Sequence, residues 1–144
     1  MALSEQEIKE YLKENKSIVL ATSDEDGQTD LRSLGGYNFD GYNLYFGTSA
    51  NANKVKQIDR NSKVSVLVQH EGQVIPQYKN ITIYGEAKRL TGAEYKLGVA
   101  KIIERRPNAV FDEDSKHIYK VIPNKIKILD FTESPEKQAT VINL

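Results

Sequence analysis

At 144 residues, 39% apolar and 28% charged, the chain has the size and make-up of one folded domain and not of a disordered segment. Twenty basic residues balance twenty acidic ones, so no overall field gathers nucleic acid or anionic lipid, and any anion site has to be local. The absence of cysteine excludes disulfides and thiolate metal sites.

Met1-Ala2-Leu3-Ser4-Glu5 turns acidic at once, without the basic start of a leader. The longest apolar run, Ile18-Val19-Leu20-Ala21, is far short of the roughly 20 residues a spanning helix needs. A cytoplasmic protein is expected.

Leu3–Ile8 reads as a helix start: Ser4 and Glu7 have capping-box spacing, and Leu3 and Ile8 flank it as a hydrophobic staple. Ile8, Tyr11 and Leu12 share one face of that helix. Ser17–Ser23 is a strand, Asp24-Glu25-Asp26-Gly27 a turn, and Gln28–Phe39 a longer returning strand. Asp40-Gly41 turns the chain into Tyr42–Phe46, which predicts a three-strand meander. Ser49 is placed to cap a helix over Asn53–Arg60, with Val55 and Ile58 inward and Asn61-Ser62 ending it.

Val64, Val66 and Val68 alternate as a strand, Glu71–Lys79 is a loop, and Asn80–Leu90 is a long strand. Gly85 in its interior marks a bulge or a close backbone approach. Thr91-Gly92-Ala93-Glu94 predicts a second capping box, opening a helix that aligns Tyr95, Val99 and Ile102 and ends before Pro107. His117–Ile122 and Lys125–Phe131 read as a final strand pair around Pro123-Asn124, and the tail from Thr132 has no clear period. About seven strands with three inserted helices, and no regular βαβ alternation, predict a small antiparallel barrel.

Catalytic constellations are scarce. His70 and His117 lie far apart without neighbours at metal-ligand spacing, and there is no nucleophile elbow, P-loop or dinucleotide motif. Asp24, Glu25 and Asp26 fit a solvated turn better than a metal site, so any chemistry would come from a cofactor. Arg32 is more informative. It stands mid-strand between Leu31 and Leu34, where a buried cation needs a partner; a solvated face or pairing with Asp30 is the plainer account. Gly35-Gly36 beside it removes side-chain packing and suggests something flat against the backbone. Thr48 to Lys54 adds hydroxyls, a helix N-terminus with unpaired N–H groups, and a lysine. Taken alone this stretch is equally a plain N-cap followed by an exposed lysine; joined to the first by one hairpin, it is expected to form a phosphate cradle.

The ordered set Arg32-x-Leu34, Tyr45-Phe46-Gly47-Thr48, small residues to Lys54, Val64-x-Val66 and Asn80-Ile-Thr-Ile-Tyr-Gly85-Glu-Ala-Lys-Arg-Leu90 resembles the pyridoxamine 5'-phosphate oxidase-like, FMN-binding split-barrel family. The resemblance implies a mainly β, homodimeric Greek-key split barrel with FMN at the subunit interface and a flavin-dependent oxidoreductase acting on a small molecule. It implies that Arg32 and Lys54 grip the FMN phosphate, that Ser33, Leu34 and Gly35 lie along the ring, and that Gly47, Thr48 and Ser49 border phosphate and ribityl. Asn80 would reach the cofactor from across the dimer, where the family often has glutamine, and Asn53 stands where many members have a second basic residue. The oxidase's substrate-holding lysine, five residues after the arginine, is Tyr37 here, and Thr132–Leu144 has neither the arginine nor the histidine of the oxidase's closing segment. A flavin carrier or sensor, a haem-handling protein on the same fold, and an oligonucleotide-binding barrel are the alternatives.

Overall fold

A computed structural model describes residues 3–15 and 17–144; Met1 and Ala2, on which the reading of the amino terminus drew, lie outside the described residues. The elements run α1 (Glu5–Glu14), β1 (Ile18–Ser23), β2 (Thr29–Leu34), β3 (Tyr37–Asp40), β4 (Asn43–Ser49), α2 (Asn53–Arg60), β5 (Lys63–Val68), β6 (Lys79–Arg89), α3 (Gly92–Arg105), β7 (Lys116–Asp130) and β8 (Ala139–Asn143). One antiparallel sheet orders the strands β2-β1-β5-β6-β7-β4-β3, and β8 pairs with β7. This is a split barrel with three helices.

The first helix forms as its sequence dictates. Ser4 Oγ accepts from Glu7 N at 3.1 Å, Glu7 returns its carboxylate to Ser4 N at 3.0 Å, and Ile8 and Leu12 are buried. The second capping box does not form: Thr91 is the N-cap of α3 but its side chain caps nothing. The Glu94 carboxylate is drawn to Lys88 at 3.4 Å, and the Gly92 N–H donates to Glu113 instead, also at 3.4 Å. Ser49 does not cap α2 either. Ala52 holds that position with no side-chain bond, and Ser49 Oγ accepts from Asn51 N at 3.4 Å.

The expected three-strand meander is corrected. Gln28–Phe39 is two strands, and β2 and β3 sit at opposite ends of the sheet order. Gly35-Gly36 is the crossing between them, and neither glycine has a positive φ. Gly36 has no heavy atom within 4 Å of where a Cβ would stand, and its carbonyl accepts from Gly47 N at 3.0 Å. The final strand pair is likewise one continuous strand, β7. Its Pro123-Asn124 is a bulge against β6, with register slipping between Tyr84 and Gly85. Gly85 is required there, because a Cβ would stand 2.4 Å from the Ile122 carbonyl oxygen.

Inward residues of β1–β7, α1 and α2 form the main core, with Leu20, Val66, Ile83 and Ile126 in one register row. Burying each such side chain favours folding by about 1.5–3 kcal/mol. Tyr45, Leu90, Tyr95, Ile102 and Ile118 form a second core beneath α3. Gly98 lets α3 approach: a Cβ would come within 2.8 Å of Ile118.

Candidate functional site

Among the described residues strand β2 pairs only with β1, so its register with β1 sets where Arg32 lies: opposite Leu20, in the row that continues through Val66 to Ile83. Residues on this face point into the barrel, and α2 packs against β1 beside them. Arg32 is therefore half-buried. Its Nη1 donates to Thr22 Oγ1 at 2.7 Å and to the Leu20 carbonyl at 3.2 Å, and its Nη2 donates to Gln57 Oε1 at 3.2 Å. Asp30 does not ion-pair with Arg32; its carboxylate accepts from Gln57 Nε2 at 2.6 Å. Burial holds the guanidinium below its ordinary pKa, against the opposing pull of Asp30.

Lys54 lies in the first turn of α2, one helical turn before Gln57 and on the same side of the helix. It is half-buried, and among the described residues it makes no ion pair or hydrogen bond. Its pKa is pushed down by burial first and then by Arg32. The two cations thus feel each other, and neither is neutralised by contact with a carboxylate. No side chain caps α2; Ala52 N donates to the Ser49 carbonyl and Val55 N to the Ala52 carbonyl, both at 3.1 Å, so among the described residues the N–H groups left open beside the cations are those of Asn53 and Lys54. Helix end and cations form one electropositive mouth.

The remaining expected residues fall into distinct places. Asn53 opens α2 and is exposed, as is Ser49. Thr48 is buried, and its Oγ1 has no hydrogen-bond partner among the described residues. Ser33 is exposed, whereas Leu34 is in the core and offers only its backbone. The Gly35 carbonyl is taken by Arg105, and the space beside Gly47 is filled by the Phe111 ring, 2.5 Å from where a Cβ would stand. Asn80 is not brought to Arg32 within one chain. It lies three residues along β6 from the Arg32 row and on the opposite, outward face with Thr82 and Tyr84.

Thr22 and Gln57 went unread in the sequence, although both carried signals. Thr22 follows Ile18 and Leu20 at inward strand positions, and Gln57 is three residues from Lys54 on α2. His70 Nδ1 pairs with the Tyr11 hydroxyl at 2.9 Å. His117 is held below its ordinary pKa by burial, and its Nδ1 has no hydrogen-bond partner among the described residues. Among the described residues no group of three or more His, Cys, Asp or Glu could hold a metal, and no helix is long and apolar enough to cross a membrane.

Fold and site together define a split-barrel protein with two uncompensated cations at the mouth of its sheet. The chain belongs to the pyridoxamine 5'-phosphate oxidase family, whose model matches residues 4–130. The pyridoxine/pyridoxamine 5'-phosphate oxidase of Shewanella frigidimarina is 34% identical over 96 residues, which make up 67% of this chain and 42% of that protein. The chain thus spans less than half of this curated relative. A putative pyridoxamine 5'-phosphate oxidase structure from Listeria innocua superposes with a TM-score of 0.71 at 24% identity, covering 87% of this chain and 97% of that one. A haem-binding protein from Mycobacterium smegmatis superposes with a TM-score of 0.80 at 14% identity, covering 99% of this chain and 59% of that one.

Proposed function

We propose that the chain binds FMN as a homodimer in the cytoplasm and acts as a flavin-dependent oxidoreductase on a small molecule. The observation that carries this reading is the half-buried pair Arg32, whose hydrogen bonds all go to neutral groups, and Lys54, which has no partner among the described residues, with no carboxylate in contact with either. Such a pair is costly until an anion arrives, and a phosphate fits both cations and the open N–H groups of α2.

The residues present fit the cofactor. The orphaned hydroxyl of Thr48, at the end of the strand leading to α2, lacks a partner that a bound polar group would supply. Arg32 and Lys54 would hold the phosphate, Asn53 and Ser49 would border it, and the backbone of Ser33, Leu34 and Gly35 would support the ring. When bound, FMN supplies the hydride chemistry, so no side chain is assigned as acid or base. Asn80 of a second copy would close the site. With Tyr37 in place of the oxidase's lysine, pyridoxamine 5'-phosphate itself is not the proposed substrate.

The test is the absorption spectrum of purified protein titrated with FMN. A flavin spectrum is expected, with affinity lowered at least about tenfold in both Arg32→Ala and Lys54→Ala, the scale of one lost charge-assisted contact. Folded protein that takes up no added FMN overturns the proposal. NAD(P)H-driven turnover separates an oxidoreductase from a flavin carrier. The likeness to the haem-binding protein favours a second reading, haem handling; it predicts haem-dependent absorbance lost on His70→Ala or His117→Ala.

A further inference from the structure

Hydrogen-bond chemistry fixes the orientation of every group around Arg32. A guanidinium only donates and a carboxylate only accepts, so the Gln57 amide between them must turn Oε1 to Arg32 and Nε2 to Asp30, as found at 3.2 and 2.6 Å. Thr22 Oγ1 accepts from Arg32 at 2.7 Å, which leaves its proton to donate to Gln57 Oε1 at 2.5 Å. The closed loop Arg32–Thr22–Gln57, anchored on Asp30, is satisfied with neutral groups at every point that touches the cation. Without the amide, Asp30 would be the nearest carboxylate able to claim the guanidinium, since it already pulls on Arg32 through space.

We propose that Gln57 is a positioning residue that insulates Arg32 from Asp30, keeping the arginine aimed at the mouth and uncompensated so that it can take a phosphate. This rests on the flavin reading above. An amide is suited to the task because it satisfies donor and acceptor at once and adds no charge. Leucine would free Asp30 to pair with Arg32, and glutamate would place a carboxylate on Arg32 directly. Both would fill the place meant for the ligand's anion, by different routes.

The experiment measures the affinity of the full chain for FMN and, in parallel, for riboflavin, which lacks the phosphate. Gln57→Leu is expected to weaken FMN about tenfold, as does losing one charged contact, and to leave riboflavin unchanged. Asp30→Asn in that background is expected to restore FMN binding to within about threefold, because the competing charge is gone. Gln57→Glu, which preserves shape and creates no void, is expected to weaken FMN more and not to be rescued by Asp30→Asn. Unchanged FMN affinity in Gln57→Leu, equal losses for FMN and riboflavin, or no rescue of Gln57→Leu by Asp30→Asn each overturn the insulating role while the flavin reading stands. Wild-type protein that binds no FMN overturns the flavin reading, and this role with it.

Discussion

Two arginines in this barrel are held mainly by neutral groups, yet their surroundings set them apart. Arg105, in the last turn of α3, donates to the Gly35 carbonyl at 3.2 Å, to the Tyr37 hydroxyl at 3.0 Å and to the Asn15 carbonyl, and it lies 4.0 Å from the Tyr37 ring centroid. It gathers the C-cap of α1, the crossing from β2 to β3 and the end of α3 around one planar ion. Arg32 is tied to β1 and α2 by neutral groups, with Asp30 held off by Gln57 and with Lys54 close enough to feel its charge. A half-buried cation whose partners are two backbone carbonyls and a tyrosine hydroxyl is a stitch. One left without a carboxylate contact, beside a lysine, is the proposed phosphate-binding group.

The comparison breaks first at Arg105. Arg105→Ala leaves two carbonyls and the buried Tyr37 hydroxyl without that donor, which costs about 2–4 kcal/mol of unfolding free energy. Arg32→Ala is expected to cost less than about 1 kcal/mol, because it also relieves Lys54. Urea denaturation with unchanged slope measures both; equal losses would erase the distinction.

Thr48 sharpens the comparison at smaller scale. Its hydroxyl is buried without a partner, so the nearly isosteric Thr48→Val is expected to raise stability of the ligand-free protein by about 1 kcal/mol while weakening FMN. A Thr48→Val protein that is less stable and binds FMN as before would return Thr48 to the ordinary core.

The sequence carried local rules well where no competitor stood nearby. Ser4 and Glu7 cap α1 because nothing else claims them, whereas at Thr91 the same spacing loses Glu94 to Lys88. Gly85 was legible as a close approach because a strand interior gives glycine few other reasons to be there. The crossing at Gly35-Gly36 was not legible. Which edge a strand joins is decided by distant partners, β4 for β3 and β1 for β2. Strand β8 escaped notice because only Ile142 of its short alternation packs against the core, while Val141 faces out. At the candidate site, Arg32 stood out in the chain because charge is rare at inward strand positions, and Lys54 because it follows a run of small residues into a helix start. The amide and hydroxyl that orient Arg32 did not, since Gln57 and Thr22 acquire meaning only once α2 meets β1.

The smallest expected effect concerns Lys54 and alkaline pH. Its folded pKa is lowered from the ordinary 10.5 by burial and by Arg32. Between that lowered value and 10.5 the unfolded chain binds more protons than the folded one, so stability rises with pH across this window. Below the window the cost is constant, and above it the cost is gone. Lys54→Gln should therefore stabilise the ligand-free protein at pH 7 by less than about 1 kcal/mol, solvent screening limiting the gain. It should also flatten the rise toward pH 10. FMN reverses the sign, because a phosphate beside Lys54 favours its charged form. Denaturation of wild type and Lys54→Gln at both pH values, with and without FMN, reads all eight combinations. Lys54→Gln protein that is less stable than wild type at pH 7 without ligand would show that Lys54, like Arg105, holds the fold.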